Sequence, residues 1–107
     1  MSQTPSGAPS EPMPQPAGVL TCDLPITNKR GLHARASAKF VQTVERFDAE
    51  VTVSRNGETV GGTSIMGLMM LTAGIGTTIR ISATGRQAKD VMDALTNLVT
   101  GKFGEED

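Results

Sequence analysis

Asn56-Gly57, set between two short alternating segments, constrains the architecture more than any other feature of the chain. Asparagine and glycine tolerate positive φ, and a two-residue turn built from them matches the twist of two adjacent antiparallel strands. Glu50 to Arg55 alternates through Val51 and Val53, and Glu58 to Gly62 returns beside it. With this one hairpin, and without strand–helix–strand alternation throughout, the pattern is not that of a parallel sheet wound with helices.

Two more segments alternate. Gly18 to Thr27 sets Leu20, Cys22, Leu24 and Ile26 against Thr21 and Asp23, and Pro25, which has no N–H for a ladder, marks it as an edge strand. After the turn opened by Gly74 and Gly76, Thr77 to Thr84 sets Ile79, Ile81 and Ala83 against Thr78, Arg80, Ser82 and Thr84. Three segments have helical spacing. The first aligns Ser37, Phe40, Val41, Val44 and Phe47, with Ala38, Gln42 and Glu45 facing away. The second, Ser64 to Leu71, is apolar almost without a break and is capped by Thr63 or Ser64. If its Leu68 and Leu71 point inward, Ile65, Met66 and Met69 are left partly exposed as an adaptable surface; otherwise the whole helix is covered. The third, Gln87 to Thr100, aligns Ala88, Val91, Met92, Leu95, Leu98 and Val99 and stops at Gly101. The order βαββαβα predicts an α+β fold, with helices packed on one face of a small antiparallel sheet.

Composition narrows the function classes. The chain has 107 residues, enough for a single domain, and a formal net charge of −1 that attracts neither nucleic acid nor an anionic membrane. No apolar run approaches the roughly 20 residues of a spanning helix, and the N-terminus lacks the pattern of a signal peptide. One cysteine, Cys22, excludes an internal disulfide and suits a reducing cytosol; its place on the apolar face of a strand points to packing rather than chemistry. Trp and Tyr are absent and Phe occurs three times, so the core is expected to come from Val, Ile, Leu, Met and Ala. Residues 1–17 hold every proline but Pro25 and read as a disordered tail; 18–101 form the domain; Lys102 to Asp107 read as an acidic C-terminal tail.

The chemistry centres on His33, the only histidine, within Asn28-Lys-Arg-Gly-Leu-His33-Ala-Arg35-Ala-Ser-Ala-Lys-Phe40. The strand alternation stops at Thr27 and helical spacing starts near Ser37, so His33 stands where a strand hands over to a helix. The first N–H groups of a helix lack partners inside it and carry partial positive charge. An imidazole there can take up a phosphoryl group whose oxygens meet those N–H groups. Arg35 can add its guanidinium, and Gly31 permits a tight turn that keeps the approach open. By itself the motif also fits an ordinary surface histidine or a loose helix cap. No metal cluster or general base stands beside it in sequence, and no cofactor is expected.

Gly31-Leu-His33-Ala-Arg35, followed by a helix and then by Ser64-Ile-Met-Gly-Leu-Met-Met-Leu71, resembles the two signatures of the histidine-containing phosphocarrier protein HPr family. The likeness covers about Leu20 to Val99, and the Asn28-Lys29 lead-in, Phe47-Asp48-Ala49-Glu50-Val51 and the Phe-containing acidic end lean toward its nitrogen-related branch, NPr. The resemblance implies an open-faced sandwich of four antiparallel strands covered by three helices. It implies a stoichiometric carrier, not an enzyme, in which His33 Nδ1 accepts a phosphoryl group from enzyme I and passes it to an enzyme IIA component. Arg35 would face the phosphate, and Ser64 would be the regulatory serine of a kinase/phosphorylase. Ala34, Ala38, Ile65, Met66 and Met69 would form the docking pad of a cytoplasmic monomer. Ala36 stands where the family usually has proline, which stiffens a helix start at no cost in hydrogen bonds. Two other functions compete. One is a regulator that binds its target according to phosphorylation at His33 or Ser64 without onward transfer. The other, a nucleic-acid-binding module, is disfavoured by the missing stacking aromatics.

Overall fold

A computed structural model describes residues 18–105; the Pro-rich stretch 1–17, expected as a tail, lies outside the described residues. The elements follow the expected order: β1 (Leu20–Pro25), α1 (Ala34–Glu45), β2 (Glu50–Arg55), β3 (Glu58–Gly61), α2 (Ile65–Met70), β4 (Thr78–Thr84) and α3 (Ala88–Thr100). Asn56 and Gly57 both take positive φ, 53° and 82°, and Arg55 faces Glu58 across the tight turn they make.

The strands form one antiparallel sheet in the order β1-β4-β2-β3. β1 lies at an edge, as Pro25 requires. β4, the last strand in the chain, is inserted between β1 and β2, so Ile81 faces Cys22 on one side and Val53 on the other. This central position suits a strand free of Pro and Gly whose Ile79, Ile81 and Ala83 are fully buried. The opposite face carries Thr21, Asp23, Thr78 and Arg80, all exposed, with Arg80 bridging to Asp23 at 2.8 and 3.2 Å.

The helices cover the apolar face alone. Ala36, Phe40, Val41 and Val44 of α1, Leu68 of α2 and Val91, Leu95 and Val99 of α3 join the strand residues in one core. Fully burying an aliphatic or Phe side chain contributes about 1.5–3 kcal/mol, so this layer is the main support of the fold. Leu98, expected in the core, is only half-buried, and Leu20 at the start of the edge strand is exposed. Among the described residues, no helix is long and apolar enough to cross a membrane.

One expectation needs correction. Lys102 to Glu105, read as the start of an acidic tail, folds back onto the domain as a 3-10 turn over Lys102–Gly104. Lys102, Phe103 and Gly104 all have positive φ, which reverses the chain after α3. For the two non-glycine residues this costs about 1–2 kcal/mol each. Phe103 is 1 % exposed, and its burial returns about as much. A hydrogen bond of 2.7 Å from Lys39 Nζ to the Phe103 carbonyl adds about 1.5–3 kcal/mol, enough to tip the balance. Counted by charge, the stretch is acidic and polar; counted by burial, it contains one of the largest core side chains.

Candidate functional site

The site grows from the loop between β1 and α1. The Ile26 N–H donates to the Thr77 carbonyl at 2.8 Å, which carries the sheet pairing one step past Pro25. The chain then turns through Asn28, a fully buried polar residue. Its Nδ2 donates to the Gly31 carbonyl at 2.8 Å, while the Gly31 N–H donates back to the Asn28 carbonyl at 3.2 Å. Gly31 has φ +66°, and a β-carbon on it would lie 2.4 Å from the Ala73 carbonyl oxygen. Only glycine combines that backbone with that contact. The Leu32 N–H then donates to the same Ala73 carbonyl at 3.0 Å, strapping the loop to the segment after α2.

His33 follows as the N-cap of α1, with φ −77° and ψ −175°, and its carbonyl accepts the first helical bond from Ser37 N–H at 2.8 Å. Its side chain does not cap the helix. The ring is instead turned toward the C-terminal turn, where Nε2 meets Glu105 Oε2. The side chains are 21 % and 15 % exposed, so His33 is not the freely exposed residue that a loose cap would be. The other carboxylate oxygen, Oε1, accepts from Asn28 Nδ2 at 3.1 Å. The hydrogen bond from His33, foremost, holds the Glu105 carboxyl below the usual carboxylate range. Asn28 and the charges of His33 and Arg30 act in the same direction, against burial, which pushes it up.

Charge is gathered around this pair. A cleft of about 420 Å³ is lined by His33 and Glu105 together with Lys29, Arg30, Arg35 and Lys39. Among the described residues, four cations facing one carboxylate leave a local excess of positive charge on a chain whose net charge is −1. The N–H groups of the first turn of α1 add to it, since helical geometry provides them no acceptor. The arrangement suits an anion held beside an imidazole. On its other side His33 borders a groove of about 300 Å³, shared with Leu32, Met69 and Ala73, that leads to α2.

α2 is the capped, one-sided helix that the pattern allowed. Ser64 Oγ accepts from the Gly67 N–H at 3.0 Å. Leu68 and Leu71 are buried, while Ile65, Met66 and Met69 are exposed, Met66 at 68 %; the alternative of a fully covered helix is excluded. Met70 and Ile75 are exposed as well and were not anticipated. Ala34 is exposed on the first turn of α1 and Ala38 is half-buried. Ala36 is fully buried in the first turn of α1.

Asn28, Lys29, Arg30, Lys39 and Glu105 also escaped sequence reasoning as members of the site. Phe103 was the available signal for Glu105, because Phe is among the residue types most often fully buried and stands here in a charged stretch.

A family model described as the PTS HPr component phosphorylation site matches residues 20–101. The chain belongs to the HPr family. Among its relatives, the phosphocarrier protein HPr of Neisseria meningitidis serogroup B is 51% identical over 87 residues, spanning 81% of this chain and 98% of that protein. The phosphocarrier protein NPr of Shewanella violacea is 41% identical over 80 residues, spanning 75% and 88%. The HPr-C-His crystal structure from Thermoanaerobacter tengcongensis is 39% identical, superimposes with a TM-score of 0.79, and covers 82% of this chain and 99% of its own. The open-faced sheet with helices on one side is thus the HPr fold, and both signature segments of this HPr-family protein lie within the matched region.

Proposed function

We propose that this HPr-family protein carries a phosphoryl group on His33 within the phosphoenolpyruvate-dependent phosphotransferase system. His33 takes the group from enzyme I and passes it to an enzyme IIA component. The observation that carries this reading is the only histidine in the chain, set at the start of α1 in a cleft lined by four cationic side chains. An imidazole nitrogen attacks phosphorus. Arg35 and the first-turn N–H groups meet the phosphoryl oxygens, and the partner supplies the donor or acceptor group. Positioning and charge stabilisation do most of the work in such transfers. The chain turns over no substrate of its own and acts stoichiometrically.

Partners would dock on the exposed Ile65, Met66 and Met69 with Ala34 and Ala38, a pad that reaches His33 through the groove beside Met69. Ser64 caps the helix under this pad, so a kinase/phosphorylase acting there would place charge inside the docking surface. The protein works in this reading as a cytoplasmic monomer.

Incubation of the chain with enzyme I and labelled phosphoenolpyruvate is expected to yield an acid-labile adduct that disappears on adding an enzyme IIA. Absence of the adduct refutes the carrier role. An adduct that no enzyme IIA can discharge makes the protein a binding regulator instead.

A further inference from the structure

We propose that Glu105 is a positioning residue for phosphoryl transfer, holding the Nε2 edge of His33 so that Nδ1 presents its lone pair to phosphorus. The inference rests on the carrier reading above and assigns a role to a residue outside both signature segments.

The geometry leaves little freedom. An ionised carboxylate can only accept hydrogen bonds, so the ring nitrogen that meets it must carry the hydrogen. Glu105 Oε2 meets Nε2, and in a neutral imidazole the lone pair is then on Nδ1. Glu105 is itself held from three directions. Asn28, fully buried, donates to its Oε1 while also closing the β1–α1 loop through the Gly31 carbonyl. Phe103, two residues earlier, is anchored in the core. Lys39, from the second turn of α1, fixes the Phe103 carbonyl. The C-terminal turn and the histidine loop thus share one buried amide, and a carboxylate supported in this way orients an imidazole instead of following it.

The step balances without an outside proton. The Nδ1 lone pair forms the N–P bond as the bond from phosphorus to the donor breaks, and that pair of electrons leaves with the donor. His33 keeps its Nε2 hydrogen and becomes a phosphorylated imidazolium, its positive charge facing the Glu105 carboxylate. On onward transfer the N–P pair returns to Nδ1 and the ring leaves as the same neutral tautomer. An orienting carboxylate therefore serves both directions, by holding the attacking nitrogen ready and by stabilising the cationic ring. Its charge does not bar the phosphoryl dianion, because it lies at the Nε2 edge of the ring and four cations line the same cleft.

Full-length protein with labelled histidine nitrogens, measured in mildly alkaline solution, provides the first test. Wild type should show Nε2 as the protonated nitrogen and Nδ1 as the lone-pair nitrogen. In Glu105→Ala both signals should move toward values averaged over the two tautomers, and Glu105→Gln, whose amide oxygen still accepts a hydrogen bond, should fall between. Transfer from phosphorylated enzyme I should slow about tenfold in Glu105→Ala, which corresponds to about 1.4 kcal/mol, and less in Glu105→Gln. With folding verified by the backbone amide spectrum, unchanged nitrogen signals or an unchanged rate in Glu105→Ala would overturn the role of Glu105. A wild-type chain that takes up no phosphoryl group would instead overturn the carrier reading, and the transfer role with it.

Discussion

At the scale of single residues, His33 and Glu105 divide the work between chemistry and support. His33→Ala should abolish the acid-labile adduct and leave the fold intact, since the ring is only partly buried and lies outside the apolar core, while loss of its hydrogen bond to Glu105 should lower the unfolding midpoint somewhat. A variant that still takes up label would locate the acceptor elsewhere. Arg35 lines the cleft from the first turn of α1, together with three other cations. Arg35→Ala should therefore slow uptake by roughly tenfold without ending it, as loss of one charge-assisted contact implies; unchanged kinetics would show that it does not reach the phosphate. Glu105 adds a pH signature. Its carboxyl is held below the usual carboxylate range, first by the His33 hydrogen bond, so the folded state binds that proton more weakly than the unfolded chain. The resulting stabilisation is fully present above the ordinary carboxylate value and is lost as pH falls through the lowered folded-state value. Thermal unfolding of wild type and Glu105→Gln between about pH 5 and about pH 3 should show a stability gap that closes in acid. A gap that widens in acid would contradict this sign.

At the scale of elements, α2 and the β1–α1 loop decide how a partner reaches His33. Ser64→Asp keeps an oxygen acceptor for the Gly67 N–H and places negative charge at a helix start, so thermal stability should hold or rise slightly. The same charge sits beside Ile65, Met66 and Met69, where an apolar contact would have to desolvate it. Transfer from enzyme I should drop by at least about tenfold, or 1.4 kcal/mol. A wild-type rate in the folded variant would leave Ser64 as a helix cap only. The loop is less forgiving. Gly31→Ala brings a β-carbon within 2.4 Å of the Ala73 carbonyl at φ +66°, a combination of clash and left-handed strain expected to cost more than about 2 kcal/mol. Denaturant unfolding checks this, and an unchanged midpoint would mean that the Ala73 segment yields easily.

At the scale of the whole molecule, the C-terminal turn is part of the domain, and removing 102–107 should destabilise it rather than trim it. Phe103→Ala alone should cost about 3–5 kcal/mol, the range for truncating a buried Phe, and by releasing Glu105 it should also slow transfer; a urea midpoint equal to wild type would restore the tail reading. Periodicity and turn chemistry determined the seven main elements, because alternation, helical spacing and Asn56-Gly57 act within a few residues of one another. The same local reasoning located His33 at a helix start and narrowed the cap of α2 to Thr63 or Ser64, of which the structure uses Ser64. It weighed an inward-facing Leu68 and Leu71 against a fully covered α2 and left the choice undecided, since an apolar run does not state which side is covered. Only the tertiary structure decided that β4 lies between β1 and β2, and that Asn28 and Glu105, 77 positions apart, share a hydrogen bond beside His33. Neither pairing leaves a trace in a short window. Each is set by which surfaces the core brings together, and for Glu105 that surface exists because burying Phe103, together with the Lys39 hydrogen bond to its carbonyl, outweighs a left-handed reversal that the local sequence would not choose.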